Sequence, residues 1–273
     1  MYREYFRLRE EPFNVTPDPR FLYLTAQHRE ALNHLLYGIR QRKGFICLTG
    51  EVGTGKTTLC RALLRELSGP YHTALILNPV LSGTQLLRAI IEEFGIEAAR
   101  RDRLGYLSAL NEFLLKTSAA GHDAVLIIDE AQDMTVECLE QVRLLSNLET
   151  DCQKLLQIVL LGQPELRKKL ARPELRQLAQ RIAVRFHLQT LDPTDTAAYL
   201  RHRVAVASEN AEAPTICFDA EAVDEIFRFS RGTPRLINAI GDKALLAGFV
   251  YQTGQIDRRL AQLAASELLK EAL

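Results

Sequence analysis

"GEVGTGKTT", Gly50 to Thr58, is the stretch on which the reading of this chain turns. It fits G-x-x-x-x-G-K-[ST], with Gly50, Gly55, Lys56 and Thr57 at the four defining places and Glu51, Val52, Gly53, Thr54 and Thr58 completing the loop. Glycines let such a loop wrap closely around an anion. Its backbone N–H groups and the following helix N-terminus face the phosphates of ATP, Lys56 reaches the β/γ oxygens, and Thr57 ligates Mg2+. As a bare pattern the same letters make a Gly-rich turn. Here they follow the apolar run "FICLT" and precede a helical period at Leu59, Leu63 and Leu67, which is the strand–loop–helix context that the motif needs.

The neighbouring runs extend that unit. "FICLTG", "TALILN", "AVLIID", "LLQIVLLG" and "VRFHLQ" alternate with longer amphipathic stretches between residues 44 and 190. This alternation predicts an α/β fold with a five-stranded parallel sheet covered by helices on both faces. From "LDPTD" onward the pattern changes. Residues 194–207, 219–230, 234–250 and 256–271 read as helices and no strand is evident, so Leu191-Asp192-Pro193 is expected to open a small all-helical lid. The predicted division is a nucleotide-binding domain over residues 1–190 and a helical domain over 191–273. The opening "EEPFNVTPDPRFLYLT" is too apolar for a disordered tail and is expected to pack on the first domain, before a helix from Ala26 to Ile39.

Bulk properties exclude some function classes. Lys+Arg and Asp+Glu both number 34 in 273 residues, giving a formal charge of +0, so a protein built to coat nucleic acid or anionic lipid is not indicated. Local basic clusters, Arg100-Arg101-Asp102-Arg103 and Lys168-Lys169, read as solvated helix faces or as local contacts. The cysteines at 47, 60, 138, 152 and 217 show no metal-ligand spacing and suit a reducing compartment. No stretch approaches a membrane span, and "MYREYFRLREEPF" lacks the apolar run of a secretory signal, so a cytoplasmic location is expected.

Two further motifs bear on chemistry. "VLIIDEAQD" ends a buried strand in Asp129, placed to hold Mg2+ through water, and Glu130, placed to orient or deprotonate an attacking water. "LLQIVLLGQPEL" ends in Gln163, which reads either as a polar side chain near the γ-phosphate or as a turn residue before Pro164. "RGTPRLIN" is less obvious. Thr233 as N-cap and Pro234 at the first helical position put Arg235 in a first turn, where a cation costs roughly 0.3–1 kcal/mol. A bound anion would remove that cost; a pairing with Asp242 is the alternative.

Taken with "YREYFRLREEPFNVTPDPRFLYLT", "LLSNLET" and "LAQRI", these motifs resemble the AAA+ ATPases and, more narrowly, the ExeA/GspA group of general secretion pathway ATPases. Length and wording look like the members serving MSHA pilus biogenesis. The resemblance implies an ATP-hydrolysing, Mg2+-dependent homo-oligomer with shared ATP sites, which assists assembly of a type IV pilus or type II secretion apparatus and sits at the inner-membrane face through a partner. It further implies that Arg235 is a sensor arginine for its own nucleotide and that Arg181, ahead of Arg176 and Arg185, acts on a neighbour's. Phe6, Leu8, Pro12 and Phe13 read either as an adenine flap or as core. Longer relatives carry a transmembrane segment and a peptidoglycan-binding domain, so the chain is expected to be a short member or part of a longer one. An ATP-switched DNA-binding adaptor is the alternative function, and a metabolic kinase fits poorly.

Overall fold

The computed structural model describes residues 2–14, 19–150 and 153–271. In chain order the elements are α1 (Tyr2–Tyr5), α2 (Ala26–Arg40), β1 (Phe45–Gly50), α3 (Lys56–Glu66), β2 (Tyr71–Ile76), α4 (Gly83–Glu93), α5 (Arg103–Ala119), β3 (Asp123–Ile128), α6 (Val136–Leu145), β4 (Leu156–Gly162), α7 (Pro164–Leu170), α8 (Arg176–Arg181) and β5 (Ile182–Leu188). Then follow α9 (Pro193–Ala207), β6 (Cys217–Phe218), α10 (Ala220–Ser230), α11 (Pro234–Val250), β7 (Gln255–Ile256) and α12 (Arg258–Glu271). Two compact units result: residues 26–51 with 59–188, and residues 1–25 with 52–58 and 189–273.

The first unit is the expected five-stranded sheet, all parallel, in the order β2-β3-β4-β1-β5. Each of the five apolar runs became a strand. Ala124 to Ile128 of β3 are wholly buried, and every residue of β4 is buried, as strands covered on both faces must be. On one face Phe45, Cys47, Leu126, Ile128, Ile158 and Leu160 share a core with Leu86, Leu110, Leu139 and Val142. On the other, α2 comes so close to β1 that a Cβ at Gly38 would stand 2.7 Å from the Ile46 side chain. Gln157 is the polar exception inside β4. Its Oε1 accepts the Gly44 N–H at 2.9 Å and its Nε2 donates to the Lys154 carbonyl at 3.3 Å, so its burial leaves both ends satisfied.

The second unit is built on α9 to α12, whose observed limits lie close to the expected ones. Two features depart from expectation. The region is not purely helical, because Cys217–Phe218 and Gln255–Ile256 pair as a short parallel ladder. Segment 2–14, which the sequence reading placed with the nucleotide-binding domain, packs here instead. Phe6, Leu8 and Phe13 are buried among Leu200, Ile226, Ile237 and Ile240, Leu8 bridges to Ser208, and the Arg9 N–H donates to the Ala207 carbonyl. Phe6, Leu8 and Phe13 are therefore core of the helical unit, and Phe13 lies directly against Gly241 of α11. Arg203 ties the segment down by donating to the carbonyls of Pro12 and Asn14, with its guanidinium 4.6 Å from the Phe21 ring centre. Among the described residues no helix is long and apolar enough to cross a membrane.

Gly232, just ahead of α11, is held at φ 72° with its carbonyl accepting the Leu191 N–H at 2.9 Å. A Cβ there would fall 1.8 Å from the Leu191 carbonyl oxygen. Gly232→Ala is therefore expected to destabilise the helical unit by more than the ~1–2 kcal/mol of a left-handed alanine alone, because the Leu191 backbone must also move. Thermal unfolding followed by circular dichroism checks this; an unchanged midpoint contradicts the close approach.

Candidate nucleotide site

Residues 52–58 of the phosphate loop belong to the helical unit. Gly53 and Gly55 take φ values of 78° and 96°, which ordinary side chains rarely adopt, so the glycines are required by the backbone. Thr54 and Lys56 are buried, while Thr57 and Thr58 are half-buried and Val52 is exposed. A Cβ on Gly53 would meet the Arg235 Cβ at 2.8 Å and the Thr233 Cγ2 at 3.1 Å, so the loop and the start of α11 are in contact.

That contact sets the surroundings of the arginine in the first turn of α11. Thr233 and Pro234 hold the N-cap and first helical positions, although the Thr233 side chain makes no capping bond. Among the described residues neither the Arg235 backbone N–H nor its exposed guanidinium has a partner. The alternative pairing with Asp242 is not formed. Asp242 instead accepts the Tyr2 hydroxyl at 2.6 Å, and burial, reinforced by that carboxylate, pushes the Tyr2 phenol well above its ordinary value. Helix-end N–H groups, an unpaired cation and a glycine loop so arranged suit a polyanion.

The carboxylates lie in the sheet unit. β3 ends as the Asp129 N–H donates to the Ile76 carbonyl at 2.9 Å, and the buried Asp129 accepts the Glu130 N–H on Oδ1 at 2.9 Å. Glu130 then turns the chain in a left-handed conformation, φ 50° and ψ 38°, uncommon for a residue with a side chain and costing of order 1 kcal/mol. Its Oε2 accepts two amide donors, Gln132 Nε2 at 2.8 Å and Gln163 Nε2 at 3.1 Å. Gln163 stands in extended backbone as the residue before α7, and its side chain bonds Glu130. Gln132 was not singled out from the sequence. The only cue was an amide placed two residues after the turn in "DEAQD".

Thr57 and Asp129, the residues expected from the sequence to hold Mg2+, carry hard oxygens of the kind that ion takes. Among the described residues no three His, Cys, Asp or Glu side chains gather into a separate metal cluster. Asp129 also acts on α3: burial, then the Asp129 carboxylate, push the Cys60 thiol up to about 12.

The remaining arginines are placed as follows. Arg181, exposed, donates through Nη1 to the Ser146 hydroxyl at 2.7 Å and to Asn147 Oδ1 at 2.6 Å. Arg185 bends back to the Ala179 carbonyl, and Arg176 is exposed. The basic clusters noted in the sequence carry internal contacts. Arg100 pairs with Asp102, Arg103 donates to Gln141, and Lys169 donates to the carbonyls of Gln132 and Met134.

Residues 39–170 match the family model of the AAA domain. Over 269 residues the chain is 46% identical to General secretion pathway protein A of Aeromonas hydrophila, an alignment covering 98% of this chain and 48% of that one. The chain thus spans about half the length of the curated relative it matches. The structure of Aeropyrum pernix ORC2 in ADPNP–ADP complexes aligns with a TM-score of 0.67 at 16% identity, covering 94% of this chain and 71% of that one. Drosophila ORC bound to DNA gives 0.68 at 18% identity over 95% and 64%, and the Thermotoga maritima RuvB Holliday junction branch migration motor gives 0.58 at 18% over 88% and 68%. At such identities the likeness is one of fold, and that fold is the α/β P-loop architecture of AAA proteins.

Thiol chemistry tests the burial around the site. Cys47 and Cys60, pushed up to about 11 and 12, stay protonated at about pH 8, and Cys138 is buried, whereas Cys217 is exposed. A disulfide reagent is expected to label Cys217 in the native protein and to reach Cys47, Cys60 and Cys138 only in denaturant, because the thiolate is the nucleophile. Peptide mapping of the labelled protein reads this; native labelling of Cys60 contradicts the buried site.

Proposed function

We propose that this chain is a Mg2+-dependent ATPase of the AAA group, related to the general secretion pathway A proteins. In this reading it oligomerises and assists assembly of a type II secretion or type IV pilus apparatus, of the MSHA kind, at the cytoplasmic face of the inner membrane through a partner. The observation that carries the ATPase reading is the contact between Gly53 of the phosphate loop and Arg235, whose helix-end N–H and guanidinium have no partner among the described residues. The secretion reading draws on the identity to the Aeromonas protein. The fold neighbours add only that this architecture occurs with nucleotide bound.

Each residue then has a physical task. Backbone N–H groups of residues 50–58 and the Lys56 ammonium bind the β- and γ-phosphates, and Arg235 adds a second cation on the γ side. Thr57 and Asp129 hold Mg2+, which when bound neutralises charge on the triphosphate. Glu130 takes the proton of the attacking water, and Gln163 fixes the carboxylate's orientation. Arg181 acts in trans: two hydrogen bonds hold its guanidinium at the surface, where a neighbouring subunit's nucleotide can meet it, a contribution of about 10³–10⁵ in turnover. ATP binding closes subunit contacts and hydrolysis reopens them. The DNA-adaptor alternative shares the fold, but the formal charge is +0 and Arg100, Arg103 and Lys169 are engaged with other groups of the chain, which supports it less well.

Glu130→Gln is the direct test. Since a positioned base supplies about 10²–10⁴-fold, the variant should bind ATP as the wild type does, lose turnover by about that factor, and accumulate as a larger, ATP-loaded species in light scattering. Turnover at the wild-type level removes Glu130 from the role, and a particle size indifferent to ATP at every concentration removes the shared site.

A further inference from the structure

The carboxylate read above as the catalytic base is not held by its own turn alone. Glu130 Oε2 is occupied by two amide donors, while Oε1 has no partner among the described residues. One of the two donors, Gln132 Nε2, belongs to a buried side chain whose other end is also engaged: its Oε1 accepts the Gln163 backbone N–H at 3.0 Å. The same Nε2 lies 3.2 Å from Asp133 Oδ2, and the Gln132 carbonyl accepts from Lys169 of α7. A Cβ at Gly162 would come within 3.0 Å of Gln132 Oε1 and 2.8 Å of Leu166, so β4 passes this amide closely.

A primary amide has a donor and an acceptor on one rigid plane, so Gln132 can bond the carboxylate and the β4 backbone at once. Its bonds join the end of β3 to the end of β4, and Gln163 closes the ring by donating to the same Oε2. The left-handed Glu130 turn, unfavourable by itself, is held by this ring.

We propose that Gln132 is a positioning residue for hydrolysis. Its amide pins Oε2 of Glu130 and fixes the spacing between the Glu130 turn and Gln163, so that Oε1 is the oxygen presented to the attacking water. The assignment rests on the reading of Glu130 as the base. Because Gln132 acts through Glu130, its value disappears when Glu130 can no longer take a proton. A purely structural glutamine would instead matter equally in both backgrounds.

The test is steady-state ATPase kinetics on Gln132→Met, which keeps the volume and loses both bonds, and on Gln132→Glu, which keeps the shape and acceptor but replaces the amide donor by a carboxyl that must share a proton with Glu130. Both are measured in the wild-type and Glu130→Gln backgrounds, with ATP affinity and thermal unfolding measured on each protein. The expected result is a fall in kcat of about 10- to 100-fold in both variants, within the 10²–10⁴ a positioned base supplies, with KM changed less than about threefold. Adding either change to Glu130→Gln should lower kcat by less than about twofold further. A kcat within about twofold of wild type in both variants overturns the proposal, as does an equal factor of loss in both backgrounds, the mark of independent sites. If Glu130→Gln alone retains wild-type turnover, the base assignment fails instead, which is a separate result. Should Gln132→Met unfold, Gln132→Glu carries the same comparison.

Discussion

The candidate site depends on the parallel register of β1, β3 and β4. Ile128 pairs with Leu160, Leu160 with Cys47, and Thr49 with Gly162, so Gly50, Asp129 and Gln163 leave the sheet at its carboxyl-terminal edge. Ligands of open parallel sheets bind outside that edge. Strands that are apolar on both faces set their own register weakly, since a slip by one residue buries one aliphatic side chain in place of another. Polar pins fix it here. Gln157 is satisfied only with Gly44 opposite it, the Ile158 N–H donates to the Gly44 carbonyl, and the Asp129 N–H donates to Ile76. A buried amide left unpaired by a slip would cost about 1–3 kcal/mol, more than most aliphatic exchanges.

Each unit carries groups that are unusual in a bare protein. Arg235 is a cation at the positive end of a helix, Glu130 sits in a left-handed turn, and Lys56 is a buried ammonium. The Arg235 and Glu130 placements are unfavourable as they stand, and a bound polyanion would offset the first of them. The hydrogen-bond ring of Glu130, Gln132 and Gln163 shows how the sheet unit keeps the Glu130 turn in place meanwhile. It joins residues that stand 31 and 33 positions apart in the sequence.

The sheet was legible because its central strands β1, β3 and β4 are apolar runs bounded by polar or Gly-containing turns, and β2 and β5 carry shorter apolar segments. The helices of the second unit were legible because Pro193 and Pro234 mark two of their starts. What the sequence hid are features with no period. Cys217–Phe218 and Gln255–Ile256 are too short to alternate, and their pairing is set by the packing of α10 to α12. Phe6, Leu8 and Phe13 were recognisably apolar, but an apolar side chain does not say which core it enters; the carbonyls that Arg203 gathers decide that. Glu130 and Asp129 announced themselves through their place after a buried strand. Gln132 did not, because its importance lies in the backbone of β4 rather than in its own neighbours along the chain.

Triphosphate binding through Lys56 is the claim on which the rest stands. Isothermal titration of the protein with ATP in the presence of magnesium, beside the Lys56→Ala variant at the same folded concentration, tests it directly. The account predicts saturable heat for the wild type and none for the variant. Equal binding by both, or no heat from either, would contradict it.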